Sequence, residues 1–183
     1  GCSQKVEKAR LKEGTAAYAL AKDLSKTLPA VDPATTKVLV SATRFEITVG
    51  DVIQTIQDNM GHRAAQLKQV DARQLQSILD KNAVQLGERR LVLNAAIAAK
   101  TVVSPEELDK ALKDQYSRAG DEKKFLEILT SNGISIDFVK KSIQDSVMID
   151  KYLRTALASQ TTVSEDEIKK SYEQGGTGTV RHI

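Results

Sequence analysis

With 183 residues, 40% hydrophobic and 28% charged, the chain is long enough for one sizeable core or two small ones and too apolar for general disorder. Its 27 Lys and Arg against 24 Asp and Glu leave a net charge of +3, spread along the sequence, which argues against the basic stripe that nucleic-acid phosphates require and so against a nucleic-acid partner. Aromatics are 4% with no Trp, and Ala, Leu, Lys, Gln, Glu and Asp abound, so the expected fold is mainly α, a multi-helix domain with one small β-hairpin near the N-terminal third.

Residues 5–28 read as a helix, best in the second half, where Ala17, Leu20, Ala21, Leu24 and Leu28 share a face and before which Gly14 is a weak point. Pro29 and Pro33 in "PAVDPATT" stop it and form a linker. "KVLV" and "RFEIT" then read as two short strands around Ser41, Ala42 and Thr43. Helices follow at about residues 50–57, 71–100, 105–116, 122–131, 136–159 and 165–172. The second of these is central. Its segment "LVLNAAIAA" is apolar on nearly every face, which predicts burial on every face, with Leu75, Leu79, Leu86, Leu93 and Ile97 as the continuous stripe. The helix from residue 136 carries Val139, Ile143 and Val147 on one face and is expected to pack on the central one. "MGHRAAQLKQV" reads equally as a helix extension or a loop. No apolar run approaches the roughly 18 residues that span a bilayer.

One local signal recurs. Thr48, Ser104 and Ser164 each stand three positions before an acid (Asp51, Glu107, Glu167), directly ahead of apolar residues. Such capping boxes satisfy orphan N–H groups of a first helical turn and place negative charge at its positive end, each worth roughly 1 kcal/mol. Pro105 suits the first helical position after Ser104.

Taken in order, "QLGERRLVLNAAIAAKTVVSPEELDKAL", "FLEILTSNGISIDFVKKSIQDSVMIDKYL", "TVSEDEIKKSYEQ" and "VRHI" resemble the N-terminal chaperone region of SurA/PrsA-type foldases. The resemblance covers residues 37–183. It rests on a charged lead-in (Glu88, Arg89, Arg90) to a buried helix, a Val-Ser-x-x-Glu turn (Val103, Ser104, Glu107), a glycine turn (Asn132, Gly133), a long helix opened by Phe138, and a second Val-Ser-x-x-Glu turn. This sequence departs from the pattern twice. Ser41 to Arg44 replace the Asn-Gly of the hairpin turn, and Lys100 and Thr101 replace the glycine after the buried helix, which is then expected to end without a left-handed cap. The resemblance implies a chaperone domain at residues 37–173, preceded by a lipoprotein-like start, helix and linker at residues 1–36. It also implies that residues 174–183 are a linker and the first residues of a parvulin-type prolyl isomerase domain, with His182 as the first residue of its site. The Gly1-Cys2-Ser3 start looks like the processed end of a bacterial lipoprotein, which implies a lipid on Cys2 and an extracytoplasmic or periplasmic, membrane-anchored location.

Within the chain itself, chemistry is sparse. His62 and His182 lie far apart without metal-ligand spacing, "GGTG" at residues 175–178 lacks the Lys-Ser/Thr of a phosphate loop, and neither a cofactor nor a metal is expected. The function expected is a module that binds unfolded or nascent exported polypeptide without ATP, with Phe125, Leu129, Phe138, Met148 and Tyr152 as candidate lining residues. Two other readings stand beside it: a region that positions substrate for an isomerase or forms a homodimer, and a helical scaffold or DNA-binding protein, which the small net charge disfavours.

Overall fold

The computed structural model describes residues 10–174, and side chains as far as residue 159. The fold is mainly helical with one two-stranded antiparallel sheet, as the composition implies. In chain order it comprises α1 (Ala16–Leu24), a 3₁₀ turn (Pro29–Val31), β1 (Val38–Ser41), β2 (Glu46–Thr48), α2 (Val49–Met60), a 3₁₀-helix (Gly61–Gln69), α3 (Ala72–Ala98), α4 (Pro105–Ala119), α5 (Glu122–Ser131) and α6 (Ile136–Gln174).

Everything up to the first half of α3 forms one N-terminal lobe. Within the described chain α1 is shorter than its pattern suggests. Gly14 has a left-handed φ of +81°, Thr15 follows it as N-cap and accepts from the Tyr18 N–H, and the helix ends four residues short of Leu28. It buries Ala17, Leu20, Ala21 and Leu24, spaced to form one stripe. α2 answers with Val49, Val52, Ile53 and Ile56 at the same spacing. The segment between α2 and α3, ambiguous in sequence, is a 3₁₀-helix. Gly61, Ala64 and Leu67 recur every third residue and all are buried, because side chains three apart eclipse one another in that helix.

The hairpin closes without Asn-Gly. The Ala42 N–H donates to the Phe45 carbonyl across Thr43 and Arg44, and the strands pair Val38 with Thr48, Val40 with Ile47 and Ser41 with Glu46, with an irregularity between Val38 and Val40. α3 lies against both strands. Gly87 makes that approach possible, since a Cβ there would stand 3.3 Å from Cγ1 of Val40.

α3 begins with a capping box that the sequence reading did not single out. The Gln74 N–H donates to Asp71 Oδ1 at 2.8 Å and the Asp71 N–H to Gln74 Oε1 at 3.3 Å. At 27 residues and 1.5 Å per residue it runs about 40 Å, long enough to leave the first lobe and serve as the spine of a second. The C-terminal lobe is the second half of α3 with α4, α5 and α6, in which α4 packs on α5 and on α6, and α6 packs on α3 as expected.

Three expectations need correction. First, the "LVLNAAIAA" segment is not enveloped. Leu91 is 59% exposed and Ile97 57%, and only Ala96 of that stretch is fully buried, because α6 packs along one side of this half of α3 and nothing among the described residues covers the side that carries Leu91 and Ile97. Second, Ser164 starts no helix. α6 is continuous from Ile136 to Gln174, there being neither Gly nor Pro in those 39 residues to interrupt it. Third, α3 does end in a left-handed cap. Lys100 adopts φ 58°, its N–H donates to the Ile97 carbonyl at 2.9 Å, and the Thr101 N–H donates to the Ala96 carbonyl at 3.0 Å. Those two bonds define a Schellman motif built on lysine instead of glycine.

Candidate functional site

Two arginines join the halves of the molecule. Arg89 and Arg90 are adjacent on α3 and therefore point about 100° apart. Arg90 lies over the Phe45 ring at 5.7 Å and donates to the Glu46 carbonyl at 3.3 Å, tying α3 to the hairpin. Arg89 donates to the Ser142 carbonyl at 2.9 Å and to Ser146 Oγ at 3.0 Å, tying α3 to α6. The charged lead-in visible in sequence is thus a bracket between elements.

A second node fixes the start of α4. Ser104 Oγ accepts from the Glu107 N–H at 3.2 Å while the Ser104 N–H donates to Glu107 Oε2 at 2.8 Å, completing the expected box. Lys151 of α6 adds bonds to both Glu107 oxygens, at 3.0 and 3.1 Å, and to the Val102 carbonyl at 2.8 Å. The Ser104 N–H, and after it Lys151, hold the Glu107 carboxyl below the usual carboxylate range. In the N-terminal lobe Asp23 is lowered in the same direction by Lys68 and then Lys26, and Asp32 by the Ala34 N–H and then Lys22. These groups are half-buried anchors of turns and helix ends, each paired with a lysine.

The surface that stands out is apolar. Val102 is 68% exposed, and with Leu91 and Ile97 of α3, Leu126 and Ile128 of α5 and Leu153 of α6 it places large aliphatic side chains in water on every element of the C-terminal lobe except α4. Among the described residues, only Val84 of the exposed large hydrophobics lies before Leu91. Along α5, Lys123, Leu126, Glu127, Thr130 and Ser131 border an open depression.

Of the lining residues expected from sequence, Phe125 is half-buried and meets Tyr116 of α4 edge-on, with ring centroids 5.2 Å apart. Leu129 belongs to the small core of this lobe, at 9% exposure. Phe138, Met148 and Tyr152 are half-buried on α6, Met148 and Tyr152 one turn apart. The more exposed aliphatic residues beside them escaped the sequence reading. In a helix greasy on all sides the sequence carries no signal for which side is left uncovered. Cys2 and His182 lie outside the described residues. No helix among the described residues is long and apolar enough to cross a membrane.

Comparison with family models, with curated proteins and with solved structures finds no match for this chain.

Proposed function

We propose that this chain is an ATP-independent chaperone module that binds unfolded or nascent exported polypeptides. One observation carries the reading: aliphatic side chains on three helices and a turn of the C-terminal lobe stand in solvent while the N-terminal lobe is well covered. An apolar surface maintained in water by a folded scaffold is a binding surface by default, and aliphatic contacts without directional hydrogen bonds suit partners of varied sequence. A micromolar complex needs only about 8 kcal/mol of binding free energy, within reach of a few buried client side chains. The ordered resemblance to SurA/PrsA-type foldases supports the same reading. It extends the proposal to a whole protein that carries a parvulin-type isomerase domain, is anchored by a lipid on Cys2 and works outside the cytoplasm. Slow X-Pro isomerisation, taking tens to hundreds of seconds, makes that combination physically reasonable, since a client must be held while its prolines exchange.

The test is suppression of aggregation of a denatured outer-membrane or secreted protein at stoichiometric amounts. Replacing Leu91, Ile97, Val102 and Leu126 by serine should abolish suppression while the chain stays folded. Retained suppression in that variant, or none in the parent chain, rejects the reading. Light scattering at the same concentrations distinguishes the homodimer alternative, in which the four serines convert a dimer to a monomer and leave aggregation unaffected.

A further inference from the structure

We infer that the contact between Gly61 and His62 on one side and Asn132 and Gly133 on the other is a releasable latch, which holds the α5–α6 turn against the N-terminal lobe and opens before the core behind it does. The His62 N–H donates to the Asn132 carbonyl at 2.8 Å. Both turns are stripped of side chains to let this happen. At Gly61, φ +55°, a Cβ would stand 1.8 Å from the Asn132 oxygen and 3.0 Å from Cγ1 of Ile134. At Gly133, φ +65°, a Cβ would stand 2.6 Å from Cε1 of the His62 imidazole. Gln57 Nε2 steadies the near side by donating to the Gly61 carbonyl at 3.0 Å.

The fit is strict and the adhesion small. Gly61 is buried, but His62 and Gly133 are exposed, and Ile134, half-buried, stands beside Gly61. A junction held by one backbone hydrogen bond and a ring on a glycine, with α5 and α6 otherwise making at most marginal contact with α1, α2 and the 3₁₀-helix, lies at the low end of local opening free energies, whereas the cluster behind α2 lies at the global end. Opening the latch uncovers Ile134 and frees the start of α6. Arg89, bonded to Ser142 and Ser146, still tethers α6 to α3, so the movement pivots about that point and does not detach the lobe.

Native-state hydrogen exchange on the full chain tests this. Gly61→Ala drives a methyl into a backbone oxygen that no rotamer change can relieve and also strains the left-handed backbone of Gly61 itself, so exchange over residues 122–139 should rise about tenfold more than over residues 75–83, the worth of one hydrogen bond beyond the shared strain. Equal acceleration of residues 75–83, or no change anywhere, overturns the proposal. Should Gly61→Ala fail to fold, a cycle at the other face decides. Gly133→Ala should raise exchange over residues 122–139 less in a His62→Ala background than in the parent chain, because only the ring clash is relieved there and the backbone strain is common to both. Additive effects overturn the latch.

Discussion

The two lobes spend similar amphipathic helices to very different ends. α2, at 12 residues, fully buries four side chains, whereas α4 buries only Leu112 in 15 residues and α5 only Leu129 in ten. The apolar faces of α4 and α5 are no less regular. They lack a second layer among the described residues, since α1, the 3₁₀-helix and the hairpin that roof α2 and the start of α3 have no counterpart over the second half of α3. Periodicity in a helix therefore shows that an apolar face exists, and leaves open whether this molecule or another covers it.

Truncating one leucine in each lobe should separate them most. Leu79→Ala removes a side chain that is 1% exposed and should cost about 3 kcal/mol in chemical denaturation, the transfer term plus a cavity. Leu91→Ala, on the same helix three turns later, removes one already in water and should cost no more than about 0.5 kcal/mol. A comparable loss at Leu91 would mean that its surface is covered in solution and that the two halves of α3 are energetically alike.

Helix caps give a smaller contrast. Thr48 is buried at the junction of β2 and α2 and its hydroxyl also meets Asp51 Oδ2 at 2.9 Å, so Thr48→Ala should cost about 2 kcal/mol, the upper end for a cap. Ser104→Ala, at the half-buried start of α4, should cost about 1 kcal/mol. Acid sharpens the second case. The folded-state pKa of Glu107 is depressed, so the stability that its bonds contribute is complete above its ordinary pKa of 4.5 and is lost as pH falls through the lower folded value. Exchange at the start of α4 should therefore accelerate beyond its intrinsic pH dependence below about pH 4.5 in the parent chain, and much less in Glu107→Gln. Identical profiles in the two proteins would remove Glu107 from the node.

Much of the fold was legible because local chemistry and tertiary packing agree. α5 falls on its expected bounds, and α2, α4 and the hairpin depart from theirs by a few residues at most, since Thr48, Ser104 and the Pro29 and Pro33 stop act through contacts within a turn. Where the outcome depended on a partner, sequence was silent. The box at Ser164 is chemically sound, but a cap only lowers the cost of starting a helix; it does not end the one already running, and α6 meets no breaker there. The site was less legible still. Leu129 and Leu126 differ by less than one turn of α5, yet one is core and the other surface, a distinction set by where α4 lies.

The cap of α3 lies at the border of the lobe with the thinner core. Lys100 holds the left-handed position of a Schellman motif, which crowds its Cβ against the following carbonyl at a cost of about 1 kcal/mol. Glycine would relieve that crowding but widen the unfolded ensemble, which returns roughly half of the gain. Lys100→Gly should therefore raise stability by about 0.5 kcal/mol, as a shifted denaturation midpoint at unchanged slope. A lower midpoint would mean that the lysine stem packs on the exposed aliphatic side chains of Ile97 or Val102, and that the border is better covered than its backbone implies.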